Sequence, residues 1–270
     1  MEFKIAGFNG KTILGDITRA KEENNVYAVF VHGFKGFKDW GAHNLVGSYF
    51  ADQGVHYVKF NFSHSGVPIE NPVDVSNLED FANNTPVKEL YDLDKVLHYV
   101  KSDLKAAKII LIGHSRGGGI SILQTAKDQR VDGLITWAAI SDFASLWKKE
   151  QEQEWEQKGK IETFNARTKE YMPLNVVLLH DYLQHAEELN IIAAASGVKQ
   201  PWLIVHGDND INVNVSVAKQ FHQINPVSEL EIIPAANHVF GAYYPYKEDM
   251  LPKELLDICK MSIRFINDLT

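Results

Sequence analysis

Residues 108–120 read KIILIGHSRGGGI. An uninterrupted apolar run stops at Gly113, Ser115 follows between glycines, and GISILQTAKD continues with the pattern of a helix. Apolar runs without alternation suit strands buried on both faces, as in a parallel sheet covered by helices. A serine on a sharp strand-to-helix turn exposes its hydroxyl above the sheet edge and crowds the backbone two residues to either side. Gly113 and Gly117 relieve that crowding, and Gly118 and Gly119 let the helix approach its strand. The competing reading is a glycine-rich turn that binds phosphate at the helix N-terminus. Neither G-x-G-x-x-G nor a Gly-Lys-Ser/Thr ending supports it.

Working outward, similar short runs occur at Val26–Val31, Val55–Phe60, Leu134–Ile140 and Trp202–Val205, each bounded by Gly, Asp, Asn or Ser. Helix-period segments lie between them. In PVKELYDLDKVLHYVKSDL, Leu90, Leu93, Val96, Leu97 and Val100 make one apolar face. The alternation predicts an α/β fold with a mostly parallel central sheet and helices on both faces. At the start, FKIAGFNGKTILGDI alternates around Asn9-Gly10 and predicts an antiparallel hairpin at the sheet edge. The 270 residues are read as a single domain without internal repeats. About sixty residues separate the Leu134 and Trp202 runs, more than a crossover needs, so an insertion is expected over residues 141–195. SLWKKEQEQEWEQKGKIE places Leu146, Trp147 and Trp155 in near-helical register, and MPLNVVLLHDYLQHAEEL reads as a second helix with Pro173 in its first turn. The first reads by itself as a solvated helix with a narrow apolar seam; together the two predict a small helical lid over a pocket at the carboxyl edge of the sheet.

The balance of 27 Lys+Arg against 35 Asp+Glu gives a formal charge of −8, with no basic run. Nucleic acid and anionic membranes are therefore not expected as partners, and a small-molecule substrate is. The oligomeric state stays open. Cys259 is the single cysteine, which excludes an intrachain disulfide and reads as a core thiol. MEFKIAGFNGKT lacks a basic segment followed by an apolar one, and no apolar run reaches about 18 residues, so a cytoplasmic location is expected. The sequons at Asn61, Asn83 and Asn214 are then chance matches.

A serine hydroxyl is a weak nucleophile and needs a base, which an acid must orient. PWLIVHGDNDINV offers Asp208 and Asp210 just past a strand, and ELEIIPAANHVFG offers His238. Asp142 also follows an apolar run, the one from Leu134. Asp208-Asn209-Asp210 opens like a calcium loop, but Val213 stands where that loop needs glycine and Lys219 where it ends in Glu. His180 and His185 have no further ligand cluster around them and read as surface residues. His32 and His206 are expected to brace loops, and His114 to point away from the pocket. Arg116 either meets an anionic substrate group or ties down a neighbouring loop.

These residues resemble the α/β-hydrolase superfamily along nearly the whole chain. GHSRGG (113–118) looks like its nucleophile elbow, and HGDND (206–210) like its His-Gly-x-x-Asp acid loop, which favours Asp210. In some members of the superfamily the acid stands where Asp142 does, which makes Asp142 the fallback. NHVF (237–240) looks like the catalytic histidine loop, and VFVHGFKGFKDW (29–40) is similar to the oxyanion segment. The resemblance implies a Ser115–His238–Asp210 triad and an oxyanion hole formed by the Phe34 and Arg116 backbone N–H groups. Such donors contribute about 3 kcal/mol each to transition-state stabilisation. The chain is most similar to small cinnamoyl or feruloyl esterases and to the serine aminopeptidase branch. It departs from them at NFSHSG (61–66) and at Arg116. The implied activity is hydrolysis of small carboxylic esters through an acyl-enzyme, without metal or cofactor. Amide or aminopeptidase hydrolysis and non-catalytic ligand binding are the alternatives.

Overall fold

The apolar runs become the middle of one sheet. A computed structural model describes residues 1–21 and 25–269. Its strands are β1 (Glu2–Ala6), β2 (Thr12–Thr18), β3 (Val26–Val31), β4 (His56–Asn61), β5 (Lys108–His114), β6 (Gly133–Trp137), β7 (Lys160–Asn165), β8 (Glu170–Asn175), β9 (Trp202–Gly207) and β10 (Glu229–Ile233). The helices are α1 (His43–Asp52), α2 (Leu78–Ala82), α3 (Pro86–His98), α4 (Arg116–Thr125), α5 (Glu152–Lys158), α6 (Val177–Gln184), α7 (Ile191–Gly197), α8 (Ser216–Ile224) and α9 (Lys253–Asp268). Eight strands form the main sheet in the order β1-β2-β4-β3-β5-β6-β9-β10. All pair in parallel from β4 to β10, whereas β1–β2 and β2–β4 are antiparallel. The turn at Asn9-Gly10 takes positive φ at both residues, 51° and 75°.

Each central strand serves two cores. In β5, Ile109 and Leu111 face a layer built with α3, α4, α7 and α8, while Ile110 and Ile112 face α1 and α9. Both sets are buried, which is why the run shows no alternation. The predicted apolar face of α3 is buried throughout, and Val100 follows in the next turn. Cys259 lies buried on α9, and burial pushes its thiol above the usual range.

The segment between β6 and β9 holds both expected helices, α5 and α6, but each is shorter than expected and a pair of strands separates them. Helix α5 is short, stops at Gly159 in the left-handed conformation (φ 74°), and gives way to an antiparallel hairpin, β7–β8. Pro173, expected in a first helical turn, sits in β8 opposite Glu162. A two-stranded sheet has only edge strands, where a missing N–H is tolerated. Trp147, Trp155, Ile161, Met172, Leu174, Leu178 and Leu179 close a small core of their own against Phe81 of α2. Helix α7 instead packs Ile191 and Ala195 into the main core. Among the described residues, no helix is long and apolar enough to cross a membrane.

Candidate active site

Strand β5 ends at His114 and α4 begins at Arg116, so Ser115 alone makes the turn, with φ 56° and ψ −120°. A non-glycine residue held there stores about 1–3 kcal/mol of strain, which surrounding bonds must over-determine. Ser115 N–H donates to the Trp137 carbonyl (3.0 Å), and its own carbonyl accepts from Gly118 (3.0 Å), Gly119 (3.3 Å) and Ile140 (3.2 Å). The turn requires glycine at Gly117, where a Cβ would lie 2.2 Å from the Val31 carbonyl oxygen. At Gly113 a Cβ would come within 2.5 Å of the Gly117 oxygen.

Three strand ends converge on the serine. His238, in the loop after β10, lies with Nε2 at 3.0 Å from Ser115 Oγ and Nδ1 at 2.7 Å from Asp210 Oδ2. Because the carboxylate only accepts, Nδ1 carries the proton and Nε2 presents its lone pair to the serine hydroxyl. Asp210, after β9, has a fully buried side chain. Its Oδ1 accepts from the Asn212 (2.8 Å) and Val213 (2.9 Å) N–H groups. Burial alone would raise this carboxyl, but hydrogen bonds from His206 and His238, reinforced by Val213, hold it well below the usual carboxylate range. Asp208 accepts from Ala235 N–H (2.6 Å) and ties the two loops together. Asp142 accepts from Ala144 N–H and Tyr182 O–H, within the insertion.

The segment after β3 passes beside the serine, where a Cβ on Gly33 would lie 3.0 Å from Ser115 Cβ. Among the described residues, no protein acceptor takes the Phe34 N–H, and Arg116 N–H is one of the unpaired first donors of α4. The Arg116 side chain turns away from the serine. It is fully buried, donates through Nε to Glu89 Oε2 (2.9 Å), and packs against the Phe34 and Phe143 rings, 5.6 and 5.9 Å from their centroids. Of the two expectations for Arg116, the structural tie is the one observed, and it reaches α3. Glu89 also accepts from Asn84 (2.7 Å), yet burial outweighs the Arg116 charge and raises its carboxyl.

A cavity of about 190 Å³ opens beside Ser115. Phe30, Phe37 and Trp40 give it an aromatic wall, and Lys35, Asn165 and Arg167 line the side toward the hairpin. His114 lines it too, contrary to the expectation that it points away. Alternation along β5 puts His114 on the face of Ile112, and the cavity opens at the top of that face beside Trp40 and His43. Its Nε2 donates to the His238 carbonyl (2.8 Å), which seats the histidine loop. Burial and the neighbouring His238 push its pKa down to about 3. His32 falls to about 4 through burial, and His43 lies well below its ordinary value for the same reason. All three are neutral at pH 7. His32 and His206 brace loops through the Gly33 (3.0 Å) and Val213 (2.9 Å) carbonyls.

Among the described residues no group of three or more His, Cys, Asp or Glu is placed to hold a metal. His180 pairs with Glu156 and His185 with Glu188. Lys35, Asn165 and Arg167 escaped the sequence reading because they come from loops and a hairpin without periodic pattern.

No protein-family model matches the chain, and no curated protein is similar to it in sequence. Solved structures are similar in fold. A putative hydrolase from Agrobacterium vitis superposes with a TM-score of 0.75 at 17% identity, covering 98% of each chain. Est1E from Butyrivibrio proteoclasticus with ferulic acid bound gives 0.72 at 17% identity, over 100% of this chain and 98% of that one. An alpha-beta serine hydrolase homologue from Coxiella burnetii gives 0.62 at 22%, over 98% and 96%. The chain has the α/β-hydrolase fold.

Proposed function

We propose that the protein is a serine hydrolase that cleaves carboxylic esters of small molecules. The observation that carries this reading is the continuous Asp210–His238–Ser115 chain, at 2.7 and 3.0 Å, on a strained turn beside two N–H groups that have no protein acceptor among the described residues. His238 takes the Ser115 proton as Oγ attacks the substrate carbonyl, and Asp210 stabilises the imidazolium that forms. Phe34 and Arg116 N–H hold the oxyanion. His238 then protonates the departing alkoxide, and water repeats the sequence on the acyl-enzyme to release the acid. The hairpin acts as a lid over the acyl cavity.

Esterase names among the structural neighbours, and ferulic acid bound to one of them, support an ester substrate. An aminopeptidase is the second reading: a carboxylate is the strongest partner for a substrate α-ammonium, and among the described residues no Asp or Glu lines the cavity. The test is labelling with a fluorophosphonate probe and locating the adduct by mass spectrometry. We expect the adduct on Ser115, its loss in Ser115→Ala, and a fall in ester turnover of about 10³-fold or more in that variant. Turnover above a few per cent in Ser115→Ala would refute the nucleophile.

A further inference from the structure

Resting on that reading, we propose that the site selects esters carrying a carboxylate or similar anion, and that Lys35 is the residue that determines this selectivity. The chain is acidic as a whole, with a formal charge of −8, yet its cavity is lined by two cations, Lys35 and Arg167, and by no Asp or Glu among the described residues. The two cations differ in how far their charge is neutralised. Arg167 is paired with Asp74 and lies 5.3 Å from the Tyr244 ring centroid. Lys35 donates to Thr163 Oγ1 (3.0 Å) and to the Phe164 carbonyl (2.7 Å), and its Nζ lies 5.1 Å from the Phe34 ring centroid; unlike Asp74 beside Arg167, none of these groups carries a negative charge. An ammonium has three donors, so one remains.

Lys38, three residues further on, shows what a satisfied lysine looks like in this segment. It is buried and pairs with both Asp16 and Asp39, which together raise its pKa despite burial. Among the described residues Lys35 has no carboxylate partner, and burial lowers its pKa to about 8. Its backbone is also held at φ 59°, where a glycine would sit without strain, so the side chain occupies a position that costs conformational energy. A partly desolvated cation beside a reacting centre gains most from an anion supplied by the ligand. Lys35 directly follows Phe34 and lines the same cavity as Ser115, so one substrate can present its carbonyl to the Phe34 N–H and its anion to Lys35. The aromatic wall of Phe30, Phe37 and Trp40 takes the apolar part of the same substrate.

Two matched pairs test the proposal: 3-acetoxybenzoate against 3-acetoxybenzamide, and monophenyl glutarate against phenyl glutaramate. Release of 3-hydroxybenzoate or 3-hydroxybenzamide from the first pair, and of phenol from the second, is followed at pH 7 and low salt, with uncatalysed rates subtracted. The native protein is expected to prefer the acid in at least one pair by about tenfold in kcat/KM, a preference that falls as salt is added. It should collapse toward unity in Lys35→Met and in Lys35→Gln, which keeps a donor for Thr163 and Phe164, and persist in Lys35→Arg. Fluorophosphonate labelling of each variant reports an intact nucleophile. Equal turnover of acid and amide in both pairs, or a preference that survives in both neutral variants, would overturn the anion selectivity and leave the ester reading standing. Absence of both labelling and turnover in the native protein would remove both.

Discussion

The carboxyl edge of the sheet and the β7–β8 insertion meet at the same cavity but are built by different rules. At the sheet edge, backbone approaches within a few ångströms set the geometry: the turn at Ser115 closes only because Gly113 and Gly117 carry no Cβ. In the insertion, side chains set it, with Trp147 and Trp155 packed edge to face at 5.4 Å between centroids over a small apolar cluster. The first design fixes positions closely, as the proposed proton-transfer chain needs. The second fixes a wall, and can vary in sequence while the wall remains.

The difference is sharpest between two carboxylates. Asp210→Asn should cost about 10³- to 10⁴-fold in ester kcat, because the amide no longer fixes the His238 tautomer. Asp142→Asn, in the insertion, should change kcat by no more than about twofold. Comparable losses in the two variants would move the orienting acid away from Asp210. Ion pairs follow the same division. Glu89→Ala leaves the Arg116 guanidinium buried and unpaired behind the Phe34 ring, and should destabilise the protein by about 3–5 kcal/mol in urea unfolding. Glu154→Ala breaks only the exposed i,i+4 pair with Lys158 on α5, worth about 0.3–0.5 kcal/mol. Glycines extend the series. Gly117→Ala drives a Cβ into the Val31 carbonyl and should cost about 3 kcal/mol. At Gly197 the nearest atom to a Cβ is 3.9 Å away, so Gly197→Ala should stay within about 1 kcal/mol of the native protein.

The same division explains what could be read from the chain. Strands β3, β5 and β9 were legible because covering both faces forces continuous apolar runs, and glycine is the only residue the turn at Ser115 admits on its crowded sides. Ser115, Asp210 and His238 each follow such a run, so their convergence could be anticipated. The Leu134–Ile140 run overstates β6, which ends at Trp137. There Ala138 swings to φ 50° and Ile140 N–H turns back to the Ser115 carbonyl. The hairpin was hidden because KIETFN and EYMPLN are short, partly charged edge strands, and Pro173 argues locally for a helix start. Lys158-Gly159 does carry a local signal of the break, since it has the form of a helix stop. The orientation of His114 and the meeting of Lys35 with Phe164 depend on which face the cavity occupies, and no local pattern encodes that.

Acid sensitivity should separate the two regions by sign. Asp210 has its carboxyl depressed below the ordinary range by its histidine and backbone donors. Its ionised form therefore contributes stability above the unfolded pKa of about 3.9, and that contribution is lost as pH falls toward the folded value. Asp181 on α6 is raised instead, since burial outweighs the hydrogen bonds from Val87 N–H and Thr85. Ionising it costs stability, and the cost appears as pH rises through the unfolded pKa toward the folded one. Relative to the native protein, Asp210→Asn should be most destabilised near pH 7, with the deficit shrinking toward pH 3. Asp181→Asn should compare more favourably near pH 7 than near pH 3. Thermal melts of the three proteins across that range measure both slopes. Parallel slopes in the two variants would mean that the insertion carries its half-buried carboxyl on the same terms as the sheet edge, and that the two regions differ in geometry but not in electrostatics.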